Sequence, residues 1–207
     1  MCVRLCLFKL SIFFVFLLPF PALAVPVVFD FTNSGIPISV STLNLEQQGL
    51  QLSISGIQDD NGSIVEASVF QNEYGIGLYS GVNDNGEIDV YGPDETMTFA
   101  FDRQVKLVSI GFSQVGGNDV FELNIDDAYS FNADIPGGNS SDMDSGMYYL
   151  NNELIMGSMF YIQPFGQYSE FTISNLTVAT VAAPPALWLF ALGLMGVVFR
   201  VSRKSVP

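Results

Sequence analysis

Three stretches bring oxygen-bearing side chains together on glycine-containing loops: Asp59-Asp60-Asn61-Gly62, Asn83 to Asp89 and Asp142-Met143-Asp144-Ser145-Gly146. A hard cation such as calcium takes six to eight oxygens from carboxylates, backbone carbonyls and water, and glycines let such a loop turn its carbonyls inward. None of the three follows the twelve-residue EF-hand template. The same residue types also crowd ordinary turns, because they tolerate left-handed backbone. If calcium is a cofactor here, the expected ligands are Asp84, Glu87, Asp89 and Glu95.

Other chemistries are limited by what is missing. The 207 residues include no His, which removes imidazole bases, Ser-His-Asp triads and His-ligated zinc. The two cysteines, Cys2 and Cys6, sit at the extreme N-terminus, so residues 25–207 carry no thiol. A pair of carboxylates could hydrolyse glycosides if held about 5–10 Å apart across a cleft. Among 21 acids no pair is singled out by spacing. Sugar binding needs exposed rings beside hydrogen-bonding groups, for which Tyr74, Tyr79, Tyr91, Tyr148, Tyr149, Tyr161 and Tyr168 are candidates. Aromatic residues in a β-protein more often serve the core or cross-strand pairs.

Charge divides the chain into three. Arg4 and Lys9 lie at the start and Arg200, Arg203 and Lys204 at the end, leaving only Arg103 and Lys106 in between. All the acids lie between Asp30 and Glu170, so residues 25–180 have a formal charge of −19. Such a surface repels phosphates, and nucleic acid is not an expected partner. Residues 1–24 read as a secretory signal: basic start, apolar run from Leu10 to Leu18, then Pro19, Pro21 and Ala22-Leu23-Ala24, with cleavage expected after Ala24. An uncleaved anchor fits less well, because the run is short and ends in prolines.

Within 25–180 the recurrent pattern is alternation. Met97, Phe99 and Phe101 share one phase against Thr96, Thr98 and Ala100, and Phe121, Leu123 and Ile125 share one against Glu122 and Asn124. Residues 105–112 are apolar in both phases and read as a central strand, expected to be the most buried. Further strands are expected at Val27 to Phe31, Leu50 to Ile54, Ile64 to Phe70, Tyr148 to Leu150, Met159 to Ile162 and Phe171 to Val178. In the last, Phe171 and Ile173 are out of phase with Leu176 and Val178, which predicts a bulge near Ser174-Asn175. Turn signals such as Asp60-Asn61-Gly62 and Gly116-Gly117-Asn118 separate the strands. The expectation is an all-β body, an antiparallel two-sheet sandwich of jelly-roll type, followed by a C-terminal transmembrane helix.

That helix is Ala186 to Phe199, apolar or Gly throughout, with a basic tail that would stay cytoplasmic. Its fourteen residues span only about 21 Å, so a crossing recruits part of 181–185 or thins the bilayer. Val181-Ala182-Ala183-Pro184-Pro185-Ala186-Leu187-Trp188-Leu189-Phe190, then Gly193, Gly196, Arg200, Arg203 and Lys204, resembles the PEP-CTERM sorting signal in its V-P-L-P-A-x-x-W-L-F variant. The resemblance implies a bacterial export substrate with an exosortase as partner, cut near the motif at 181–185 and found alongside extracellular polysaccharide. Residues 70–126 are also similar to ectodomains common among such proteins. An ordinary single-span anchor is the alternative for residues 181–207. The sequence thus points to a non-enzymatic exported surface or matrix protein. Its rivals are a purely structural surface protein and a carboxylate-dependent glycoside hydrolase.

Overall fold

A computed structural model describes residues 25–81, 84–126, 129–138, 144–150 and 155–180, and all regular structure among them is β-strand. In chain order the strands are β1 (Pro26–Asp30), β2 (Ile38–Val40), β3 (Thr42–Gln47), β4 (Leu50–Asp60), β5 (Ser63–Gln71), β6 (Ile76–Tyr79) and β7 (Ile88–Asp89). They continue as β8 (Asp94–Val115), β9 (Val120–Ile125), β10 (Tyr129–Asp134), β11 (Asp144–Tyr149), β12 (Met156–Pro164) and β13 (Glu170–Thr180). Every pairing is antiparallel. No helix among the described residues is long and apolar enough to cross a membrane. The expected helix at 186–199, the signal at 1–24 and the whole of 181–207 lie outside the described residues.

The strands form one continuous ladder in which β4, β5, β6, β13 and β8 close a five-stranded ring, with the other eight strands outside it. The expected all-β, antiparallel character holds, and the strands run on as one hydrogen-bonded ladder. The reason is β8, which merges two expected strands into one of 22 residues. Its first part pairs with β4 and β12 (Phe101 opposite Leu52, Phe99 opposite Phe160). Its second part pairs with β13 and β11 (Leu107 opposite Val178, Ile110 opposite Tyr148). Between them Asp102-Arg103-Gln104 is exposed and forms the corner. There Arg103 Nη2 meets Asp102 Oδ2 at 2.6 Å and donates to Gly49 O at 2.8 Å, tying the corner to the β3–β4 turn.

Alternation puts the core where the sequence places it. Met97 and Phe99 have no exposure, nor do Val105, Leu107, Ile110 and Phe112 in the second part of β8, a burial that β13 shares through Phe171, Ile173, Leu176 and Val178. Phe112 stacks against Phe121 at 5.0 Å and edge-on to Phe171 at 5.2 Å. Each such side chain contributes on the order of 2–3 kcal/mol by leaving water. The expected bulge is present: register shifts between Ile173 and Asn175, which keeps both apolar pairs inward. Asn61 and Gly62 (φ 53° and 89°) form the two-residue β4–β5 turn, with Asp60 opposite Ser63. β1 pairs along β13, Pro26 opposite Ala179, so the two ends of the described body lie side by side.

Candidate functional site

The loop joining β6 to β8 is laid against β6 by glycine. A Cβ on Gly77 would strike the carbonyl of Gly86, so only a bare α-carbon lets the loop approach closely enough for Leu78 N to donate to Glu87 O at 3.2 Å. Gly86 takes φ +79°, with the Phe70 ring packed where its side chain would be. The loop then runs into β7, whose pairing with β13 sets Ile88 opposite Phe171 and Asp89 opposite Glu170. Ile88 fills the core, and its alternation with Glu87 and Asp89 carries those two acids into the same neighbourhood.

The result is an unusual concentration of buried acid. Glu87, Asp89, Glu95 and Asp119 are all nearly inaccessible, Glu95 at 2% exposure. Asp84 is fully engaged: Oδ1 accepts from Gly86 N at 2.7 Å, and Oδ2 accepts from the Ser80 hydroxyl at 2.6 Å and from Ser80 N. Glu87 accepts from Asn85 Nδ2 at 2.9 Å and from Gln114 Nε2 at 2.8 Å. Asp89 Oδ1 accepts from Tyr91 N at 2.8 Å. Glu95 extends inward in phase with Met97 and Phe99; its Oε2 accepts from Asp89 N at 3.3 Å, while Oε1 has no hydrogen-bond partner. Asp119 caps the β8–β9 turn through Gly116 N at 2.5 Å and reaches Glu170 N at 3.4 Å.

Neither Arg103 nor Lys106 is among the groups that set the proton affinity of Glu87, Asp89 and Glu95. Burial, then repulsion from Asp84 and Asp89, pushes Glu95 up to about 8. Burial and then Glu170 raise Glu87 to about 7, against the Asn85 hydrogen bond. Burial lifts Asp89 to about 6 even though Tyr91 N stabilises its charge. Carboxylates held away from water without a cation keep their protons toward neutral pH. The four residues expected as calcium ligands therefore share one region, with Asp84, Asp89 and Glu95 as electrostatic neighbours and Glu87 acted on by Glu170, Asp89 and Asp119. Among the described residues no group of three or more acids is arranged to hold a metal ion. The oxygens of Asp84 and Glu87 accept hydrogen bonds from protein donors in this arrangement.

The other candidates are scattered. Asp59 Oδ1 accepts from Gly62 N at 2.6 Å as part of the hairpin turn, and Asp142 and Met143 of the third acidic stretch lie outside the described residues. Tyr148 packs against Phe121 at 5.0 Å in the core periphery, whereas Tyr74, Tyr79, Tyr91, Tyr149 and Tyr168 are exposed. Tyr161 sits on the outer face of β12. Ala22, Ala24 and the sorting residues Val181, Pro184, Pro185, Ala186, Trp188, Gly193, Gly196, Arg200, Arg203 and Lys204 lie outside the described residues. Sequence reasoning did not associate Gln114, Asp119 or Glu170 with the acidic loop, because strand pairing alone brings them there. Compared with known proteins, the chain matches no family model, no curated protein and no solved structure.

Proposed function

We propose that this chain is a non-enzymatic bacterial surface or extracellular-matrix protein, exported through residues 1–24, sorted by an exosortase through residues 181–207, and associated with extracellular polysaccharide through its acidic β body. The observation that supports this most is the order of segments: an acidic body without His or Cys, then Val181 to Phe190, an apolar run and Arg200, Arg203 and Lys204. The membrane is a partner through Ala186 to Phe199 before processing, and the cell surface or matrix is the destination. We read the body as a jelly-roll-like sandwich whose two halves are joined by the corner of β8. Calcium enters this reading as a competitor for the protons of Asp89 and Glu95, with Asp84 and Glu87 as its further ligands.

Intact-mass analysis of the protein recovered from its native envelope tests the sorting. Loss of both ends is expected; a retained tail favours a plain membrane anchor. Retention of the protein on polysaccharide from the same envelope tests the association, and passage through it unretarded favours a purely structural protein. Glu95, which keeps its proton toward neutral pH, gives the glycoside hydrolase reading its one specific support. Release of reducing ends, abolished by Glu95→Gln, would establish that reading instead.

A further inference from the structure

The outer face of β4, the first part of β8, β12, β9 and β10 is unlike the rest of this acidic body. Strand registers align Ser55, Thr98, Tyr161, Asn124 and Ser130 in one cross-strand row. Gln163, Glu122 and Asn132 align in the next, with Ile57 opposite Thr96 beside them. Eight of the ten positions are hydroxyl, phenol or amide side chains, and Glu122 is the one charge. That charge is held: Thr96 Oγ1 donates to Gln163 Oε1 at 2.9 Å, and Gln163 Nε2 donates to Glu122 Oε2 at 2.9 Å. The chain fixes which way the Gln163 amide points.

A groove runs over this face. One part, of about 460 Å³, is lined by Tyr161, Asn124 and Gln163; the next, of about 380 Å³, shares Ile57, Thr96 and Gln163 with it and ends at Phe165. Tyr161 and Gln163 alternate at the end of β12 and Phe165 follows one residue beyond it, so two aromatic positions flank one amide along the groove, with about 13 Å between their α-carbons for extended chain. Phe165 is 45% exposed, although its backbone is fixed by Phe165 N donating to Val120 O at 2.8 Å. An exposed phenyl ring held in place by its backbone is poised to pack against an apolar surface brought to it. At the Phe165 end Asp59, Asp94, Glu95 and Glu122 all line the groove, so a polyanion is repelled there.

We infer that this groove binds a short run of an uncharged polysaccharide, with Tyr161 and Phe165 packing against sugar rings and Gln163, Asn124 and Thr96 hydrogen-bonding the hydroxyls between them. The inference rests on the polysaccharide-associated reading above and gives it an address. The test is affinity electrophoresis of the full-length chain in detergent through gels containing hydroxyethylcellulose, a neutral glucan, or alginate, a polyuronate. Retardation by the neutral polymer alone is expected. Tyr161→Leu and Phe165→Leu should each weaken it about tenfold, equivalent to about 1.4 kcal/mol, while Tyr161→Phe retains it. Circular dichroism confirms that each variant is folded, and Gln163→Ala, which removes no ring, serves as a second probe should one fail to fold. Equal retardation of wild type and variants, or retardation by alginate alone, overturns the groove assignment. Retention on native-envelope polysaccharide that is unaffected by these substitutions overturns the groove while leaving the broader association standing; no retention of any kind overturns both.

Discussion

Glu95 lies on the inner face of β8 with one oxygen unpaired, and its energetics follow from that placement. Its folded-state proton affinity, like those of Glu87 and Asp89, is raised above the value of an unfolded chain. The folded state therefore binds more protons, and the stability these groups contribute is complete below about pH 4 and lost as pH rises through about 6 to 8. Thermal unfolding should show a midpoint that falls steadily between about pH 5 and pH 9. Glu95→Gln mimics the protonated form and should flatten that fall, stabilising the protein near pH 9 by about 2–3 kcal/mol. A midpoint indifferent to pH, or a Gln variant less stable at alkaline pH, would contradict the burial argument. The sequence placed Asp84, Asp89 and Glu95 together because they are close in the chain. It could not show that Gln114, Asp119 and Glu170 join them, since that depends on which strands lie side by side.

β13 shows how far a strand can be read from its pattern. Phe171 and Ile173 in one phase and Leu176 and Val178 in the other demanded an extra residue, and the register shift beside Ser174 provides it. Deleting Ser174 would turn one of these pairs outward. Two large side chains lost from the core cost roughly 4–6 kcal/mol, a large share of the 5–15 kcal/mol that holds a typical domain. The deletion should leave the protein insoluble or unfolded by circular dichroism, whereas Ser174→Ala should unfold within a few degrees of wild type; a folded deletion variant would refute the phase argument. The Asn61-Gly62 turn was legible for similar reasons, but the Gln48-Gly49 turn between β3 and β4 was not, since Gln has no strong turn preference and yet adopts φ 53°. β2, β3 and β10 escaped notice because their side chains are at most half-buried, leaving the apolar alternation faint. The joining of two segments into β8 was invisible because Asp102-Arg103-Gln104 looks like a break and is in fact a corner.

At the scale of the whole molecule, a body of −19 with only two cations must contend with its own repulsion. Calcium, if it displaces protons from the acidic loop, should raise the unfolding midpoint at about pH 8 more than sodium at matched ionic strength, and Glu95→Gln should abolish the difference. Equal midpoints in the two salts would leave the loop to protons alone. The charge division that suggests export was fully legible in the sequence, whereas the closure of the ring by β8 and β13 was not, because pairings between distant strands leave no local trace. One pairing bears on how such a module is attached. With Pro26 beside Ala179, chain enters and leaves at a single pole. A tether at residue 180 would grip the molecule there, and a pull on it would load the hydrogen bonds of β13 to both β1 and β8.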